Sequence, residues 1–236
     1  MIFKNTNIMA KKEGTEDKME SIETALGKTE QYIEENRKSL TIIAGAIVAV
    51  VAIYFGFTKF YLKPKEEKAE SQMYIAEHYF EIDSFKLALN GDGNYPGFLN
   101  IIDDYRLTKS ANLSAYYAGI CYKNLGKYSQ AIDYLKKFDL DDKIISNIAL
   151  GSIGDCYSEI NQNNEAVKYY ERAADHVKND FTSPVYLMRA GILLEETGAF
   201  KQALKIYSRI EKEFNKTQEG QQISKYITRV KVEGNL

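Results

Sequence analysis

The side chains able to do chemistry are few in this sequence, and they are scattered. Its 236 residues include two histidines, His78 and His176, and two cysteines, Cys121 and Cys156. A general base needs a neighbour that orients it, and a metal site needs several ligands at short, regular intervals. Neither histidine has a cysteine or carboxylate cluster at such spacing, so both read as surface or core residues. Asp92 and Asn94 lie in the Gly/Asn/Pro-rich stretch NGDGNYPG (90–97), which invites comparison with a calcium loop. A calcium loop requires more oxygen ligands and a late bidentate Glu, which this stretch lacks, so a turn is expected. No phosphate-cradling glycine loop, nucleophile elbow or paired-cysteine motif occurs. The expectation is a chain that is not an enzyme, takes no small-molecule substrate and holds no metal or cofactor.

What the few reactive residues do report is position. Cys121 and Cys156 each lie two residues after a glycine, Gly119 and Gly154, which puts them at equivalent places in neighbouring helices. Packed helices run about 8–10 Å apart, whereas disulfide-linked Cα atoms lie within about 7 Å. Free, buried thiols are therefore expected. With 31 basic and 33 acidic residues, the net charge of −2 supplies no basic surface for nucleic acid. Only three prolines, set among long runs of Ala, Leu, Ile, Lys and Glu, point to an all-α fold.

One segment stands apart. Ser39 to Thr58, SLTIIAGAIVAVVAIYFGFT, runs for 20 residues without a charge. A helix of that length spans about 30 Å, the thickness of a bilayer's hydrocarbon core. It has no polar stripe, which a buried helix of a soluble domain would carry. About 38 residues precede it and bulky Phe60, Tyr61 and Leu62 follow, which reads as an uncleaved anchor. Tyr54, Phe55, Phe57, Phe60 and Tyr61 gather at one end, as aromatic residues do at a membrane interface. Gly45, Ala49, Ala52 and Gly56 form a stripe of small residues suited to close packing against another membrane helix. Lys28, Arg37 and Lys38 precede the span, while Lys59, Lys63, Lys65 and Lys68 follow it. That near tie leans slightly against a cytoplasmic N-terminus, but the charge rule weakens for long translocated domains. The expected arrangement keeps the N-terminus inside. Before the span, Met19, Ile22, Leu26 and Ile33 recur at helical intervals in an otherwise polar tail.

Beyond the span the chain repeats. Gly119, Gly154 and Gly191 lie 35 and 37 residues apart. Twelve positions after each comes Ala131, Ala166 or Ala203; four later Leu135, Tyr170 or Tyr207; three later Phe138, Ala173 or Ile210. Two antiparallel helices in close contact need such small residues where they touch, with large ones between. NLGKYSQA (124–131) and ETGAFKQA (196–203) read as helix–turn–helix corners, with Gly126 and Gly198 making the turn. In INQNNEA (160–166) that role falls to Asn163 or Asn164. The pattern resembles the tetratricopeptide repeat, whose period is close to 34 residues. It implies a right-handed solenoid of helix pairs that binds other proteins.

Five regions follow: a partly amphipathic tail expected in the cytoplasm (1–38), a transmembrane helix (39–62), a linker helix with a degenerate first repeat (63–111), three repeats (112–214) and a C-terminal capping helix (215–236). In the degenerate repeat, AESQMYIAEHYFEIDSFKLAL reads as one helix, 90–97 as a loop and FLNIIDDY (98–105) as a further helix. In repeats of this kind the first helices line the concave face. The candidate groove comprises Leu113, Tyr116, Ile120 and Lys123, then Ile148 and Asp155, then Met188, Ile192 and Glu195. It is apolar on one side and acidic toward the other, which suits a polypeptide segment with apolar anchors.

The stretch QYIEENRKSLTIIAGAIVAVVA (31–52) resembles the opening of YfgM-like proteins, through Tyr32-Ile33, Glu35-Asn36, and Lys38 and Leu40 before the span. ALNGDGNYPGFLNIIDDY and YYAGICYKNLGKYSQAIDYLKKF look like the version found in Bacteroidetes-type bacteria. That family comprises single-span bacterial inner-membrane proteins with periplasmic repeats, ancillary to the SecYEG translocon. The resemblance implies a periplasmic repeat domain, partners among SecYEG and a PpiD-like chaperone, and a role in secreted-protein biogenesis. The alternative is a repeat scaffold for another cell-envelope assembly complex.

Overall fold

The computed structural model describes residues 31–139 and 141–236, all of whose regular structure is helical. Met19, Ile22 and Leu26 of the amphipathic tail lie outside the described residues. The chain divides into two compact units after Tyr61.

In the first unit, helix α1 (Arg37–Phe57) contains the whole apolar run and buries none of it. Ile42, Val48 and Ile53 are exposed along with their neighbours. A five-residue π turn, Thr58–Leu62, follows the helix. At its start the Thr58 hydroxyl donates to the Tyr54 and Phe55 carbonyls at 2.9 and 3.1 Å, adding to the bonds that the Thr58 amide makes with the same two oxygens.

In the second unit, α2 (Lys63–Glu81), α3 (Phe85–Asn90) and α4 (Phe98–Asp104) precede the helix pairs α5 (Lys109–Asn124) and α6 (Tyr128–Leu135), α7 (Ile145–Glu159) and α8 (Asn163–His176), and α9 (Ser183–Glu196) and α10 (Phe200–Glu213). Helix α11 (Gln218–Glu233) closes the series. Each helix packs mainly on its neighbours in sequence, which gives the linear stack expected of a repeat array.

The corners show why the chain reverses where it does. Asp83, Gly126, Asn161 and Gly198 all have φ between 56° and 75°, the left-handed conformation that ends a helix. At each corner the next amide bonds back five residues: Ser84 to Tyr79, Lys127 to Tyr122, Gln162 to Tyr157 and Ala199 to Leu194, all at 2.8–2.9 Å. Five residues after each left-handed residue stands a fully buried alanine, Ala88, Ala131, Ala166 or Ala203.

Two expectations change here. The middle corner turns at Asn161 rather than at Asn163 or Asn164, which begin helix α8. The first repeat is also less degenerate than its sequence reads. What looks like one helix from Ala69 onward breaks at Asp83, and Ala76 takes the place of the aligned glycines, seven residues before the turn and fully buried. Its second helix is short, and the 91–97 loop stands in for the rest. Asp92 organises that loop, accepting the Asn94 and Tyr95 amides at 2.9 and 2.8 Å and the Tyr79 hydroxyl at 2.8 Å. The carboxylate is consumed by a turn, as its surroundings predicted.

The aligned glycines admit the second helix. A Cβ on Gly119 would lie 2.5 Å from Leu135; one on Gly154, 2.7 Å from the Tyr170 ring; one on Gly191, 2.2 Å from the Tyr207 ring. The large residue sixteen positions on therefore fills its own repeat, seated in the space left by the missing side chain. Ring contacts at 5.2–5.3 Å between Tyr122 and Tyr134, and between Tyr157 and Tyr169, join the same helix pairs. Both cysteines are free and fully buried, as their spacing predicted.

Candidate functional site

The first helices of successive repeats meet along a line of polar contacts, and Asp155 stands at its centre. Lys123, on α5, reaches it at 2.5 Å; Arg189, on α9, reaches its other oxygen at 2.5 Å; the Tyr170 hydroxyl donates to it at 2.9 Å. One carboxylate thus ties three consecutive repeats. Its side chain is 18 % exposed. Burial alone would raise its pKa, but the charges and hydrogen bonds of Lys123 and Arg189 outweigh that and hold it below the usual carboxylate range.

Glu195 repeats the arrangement one repeat on. Arg229 of α11 pairs with it through two nitrogens, one at 2.8 Å, and the Tyr207 hydroxyl donates at 2.8 Å. Its side chain is 9 % exposed, and the Arg229 hydrogen bonds lower its pKa. The tyrosines over Gly154 and Gly191 therefore have a second purpose. Each ring fills the repeat, and its hydroxyl passes through to the carboxylate on the first helix. Burial and that carboxylate raise the Tyr170 and Tyr207 phenols.

Two carboxylates on the acidic side of the groove expected from sequence are thereby paired. Asp155 and Glu195 face cations from the next element, and Lys123 is committed to Asp155. Sequence reasoning missed Arg189 and Arg229. The signal was there: opposite charges stand about one repeat apart, 34 residues from Asp155 to Arg189 and from Glu195 to Arg229.

The apolar members are placed as expected. Leu113, Tyr116, Ile120, Ile148, Met188 and Ile192 are all half-buried. The Tyr116 ring lies 5.6 Å from Phe138. Tyr186 stacks on Tyr170 at 6.4 Å, and Arg189 lies over the Tyr186 ring at 5.5 Å. A Cβ on Gly151 would run into Tyr186, so α7 and α9 approach closely there. Glu159 and Glu196 remain exposed at the ends of their helices.

Burial pushes the Cys121 thiol up to about 12 and the Cys156 thiol to about 11, so neither supplies a thiolate near neutrality. Among the described residues no cluster of His, Cys, Asp or Glu is arranged to hold a metal ion. In the other unit, Gly45, Ala49, Ala52 and Gly56 share α1, and a Cβ on either glycine meets nothing within 4 Å.

Two tetratricopeptide-repeat family models match the chain, over residues 149–184 and 114–139. Both fall on the helix pairs built around Gly119 and Gly154. Among solved structures, nearly identical TPR-like repeats related to a Podosopora anserina kinesin light chain superpose with a TM-score of 0.52 at 11 % identity, over 72 % of this chain and 88 % of that one. The MamA protein superposes with a TM-score of 0.50 at 17 % identity, over 72 % of this chain and 93 % of its own. At those identities the likeness shows the fold. No curated protein matches in sequence.

Proposed function

From the premise that the chain carries tetratricopeptide repeats, we propose that it is a membrane-anchored protein-binding module, tethered by α1 and recognising a polypeptide through the first helices of its repeats. The observation that carries the reading is the fully unburied α1. No residue of this helix is buried, although it is apolar along its length and long enough to cross a bilayer. Exposing such a surface to water would cost roughly 25 cal/mol per Å² of apolar area, whereas lipid solvates it without penalty. The half-buried apolar row on the first helices supports peptide binding, and the paired Asp155 and Glu195 leave that row without a strong net charge.

The small-residue face of α1 adds a second contact, with another membrane helix. The finer reading places the N-terminus in the cytoplasm, the repeats in the periplasm of a bacterial inner membrane, and the partners in SecYEG and a PpiD-like chaperone. It rests on the resemblance of residues 31–52 and of the two repeat-unit stretches quoted with them, and not on the repeat fold itself. Catalysis has no part in the proposal, in which both thiols stay protonated near neutrality.

The test is alkaline extraction of membranes followed by purification of the full chain in mild detergent, with partners read by mass spectrometry. The chain is expected to stay with the membrane pellet and to carry a translocon subunit or chaperone. Release into the alkaline supernatant would refute the anchor. Retention with a different envelope complex would refute only the translocon assignment.

A further inference from the structure

Glu77 stands at the register of Asp155, since it follows Ala76 as Asp155 follows Gly154. Ile120 and Ile192 of the groove share that register in the other two repeats. At Asp155 the chain itself shows which groups a carboxylate takes there. Lys123 reaches it from the preceding first helix and Arg189 from the following one. Around Glu77 neither cation has a counterpart. The place of Arg189, two residues before the aligned glycine, is held in α5 by Tyr117, whose hydroxyl donates to Glu77. The Tyr117 ring is packed 5.0 Å from both Phe80 and Phe98. The place of Lys123 is vacant because α2 is the first helix of its unit.

Glu77 is half-buried, and Glu70 and Glu81 stand exposed before and after it along α2. Burial raises its pKa, the Tyr117 hydrogen bond opposes that, and the charges of Glu81 and Glu70 raise it again. The charges that act most on this carboxylate are therefore negative. Glu81 closes α2, where the last carbonyls of the helix add partial negative charge. Among the described residues, the ion pair on α2 joins Lys63 to Glu67 at 3.9 Å, and none is found at Glu70, Glu77 or Glu81. Nor, among those residues, are three carboxylates gathered closely enough to hold a metal ion. A half-buried carboxylate in such a field is relieved by a single cationic donor, as Lys123 and Arg189 relieve Asp155.

Resting on the groove reading above, we propose that Glu77 receives a lysine or arginine side chain of the polypeptide held in the groove. Glu70 and Glu81 supply the field that draws the cation in, and Ile120 and Ile192 meet apolar side chains of the same segment. The occupant is thus an apolar segment with a basic residue at the end that lies on α2.

The test uses the full chain in phosphatidylcholine nanodiscs and four fluorescent peptides, Ala-Leu-Ser-Leu-X-Leu-Ser-Leu-Ala, with lysine, arginine, norleucine or glutamate at the central X. The lysine and arginine peptides are expected to bind about tenfold tighter than the norleucine peptide, the worth of one partly buried charge-assisted hydrogen bond, and the glutamate peptide weakest of all. Glu77→Gln keeps an acceptor for Tyr117 and should bring the lysine and norleucine peptides to nearly equal affinity. Glu211→Gln, on a second helix, should leave the difference as it is. Equal affinity of those two peptides for the unaltered chain, or a tenfold difference that survives Glu77→Gln, would overturn the proposal. The groove reading would still stand in either case if Ile120→Ser with Ile192→Ser weakened all four peptides alike. Failure of all four to bind the unaltered chain would overturn both readings.

Discussion

Glycine serves opposite ends in the two units of this protein. In the repeats, a Cβ on Gly119, Gly154 or Gly191 would come within 2.2–2.7 Å of a side chain on the second helix. In α1, a Cβ on Gly45 or Gly56 meets nothing within 4 Å. The first set makes room that the chain itself fills. The second makes room that no described residue fills, in a helix that buries none of its residues. Small residues therefore mark packing already made in the repeats and, on the reading proposed for α1, packing against another membrane helix.

The sharpest way to break this contrast is substitution at both sets. Gly191→Val should destabilise the repeat unit by about 3 kcal/mol in chemical denaturation, because Tyr207 is fully buried and its hydroxyl is held by Glu195, so the ring cannot swing away. Gly154→Ala should cost about 1–2 kcal/mol, despite the better helix propensity of alanine. Asp155→Asn should cost about 2 kcal/mol, since Lys123 and Arg189 lose their shared anion but keep partial access to water.

The same carboxylates set a pH dependence. The folded-state pKa values of Asp155 and Glu195 are lowered. Their stabilisation is therefore fully present above the unfolded values near pH 4 and is lost as pH falls through the folded ones. Melting temperatures should drop below about pH 4, and the drop should be shallower in Asp155→Asn. A steeper drop in that variant would contradict the pairing. A smaller gain is expected from Asn161→Gly, about 0.5 kcal/mol, because a left-handed φ of 60° strains asparagine and not glycine. At the bottom of the scale, Gly45→Leu with Gly56→Leu should leave the repeat unit's melting unchanged while weakening co-purification of a membrane partner. Unchanged co-purification would remove the small-residue face from the account.

The residues explain how much of this was legible in advance. The register of Gly119, Gly154 and Gly191 with Ala131, Ala166 and Ala203 could be read directly, because both positions are sterically fixed and tolerate few residue types. The first repeat was half hidden. Asp83 carries its turn, and an aspartate with positive φ leaves no mark in a helical pattern, as a glycine would. Asn161 was passed over for the same reason, among three nearby asparagines. The groove's apolar members could be placed from repeat position alone. Its charge could not, because Arg189 and Arg229 lie at positions that no single repeat identifies and act across to the preceding repeat. Leu107, Ile144 and Phe181 stand exposed in loops, where apolar residues read as ordinary until their exposure is known.

The account turns on a groove that holds a polypeptide while α1 holds the membrane. Site-specific photocrosslinking in intact membranes tests this most directly, with a benzophenone side chain placed singly at Ile148, at Ile192, and at Gln130 on a second helix as the control. The account predicts discrete protein adducts from positions 148 and 192 and none from 130. Absence of adducts from both groove positions, or the same adducts from all three, would contradict it.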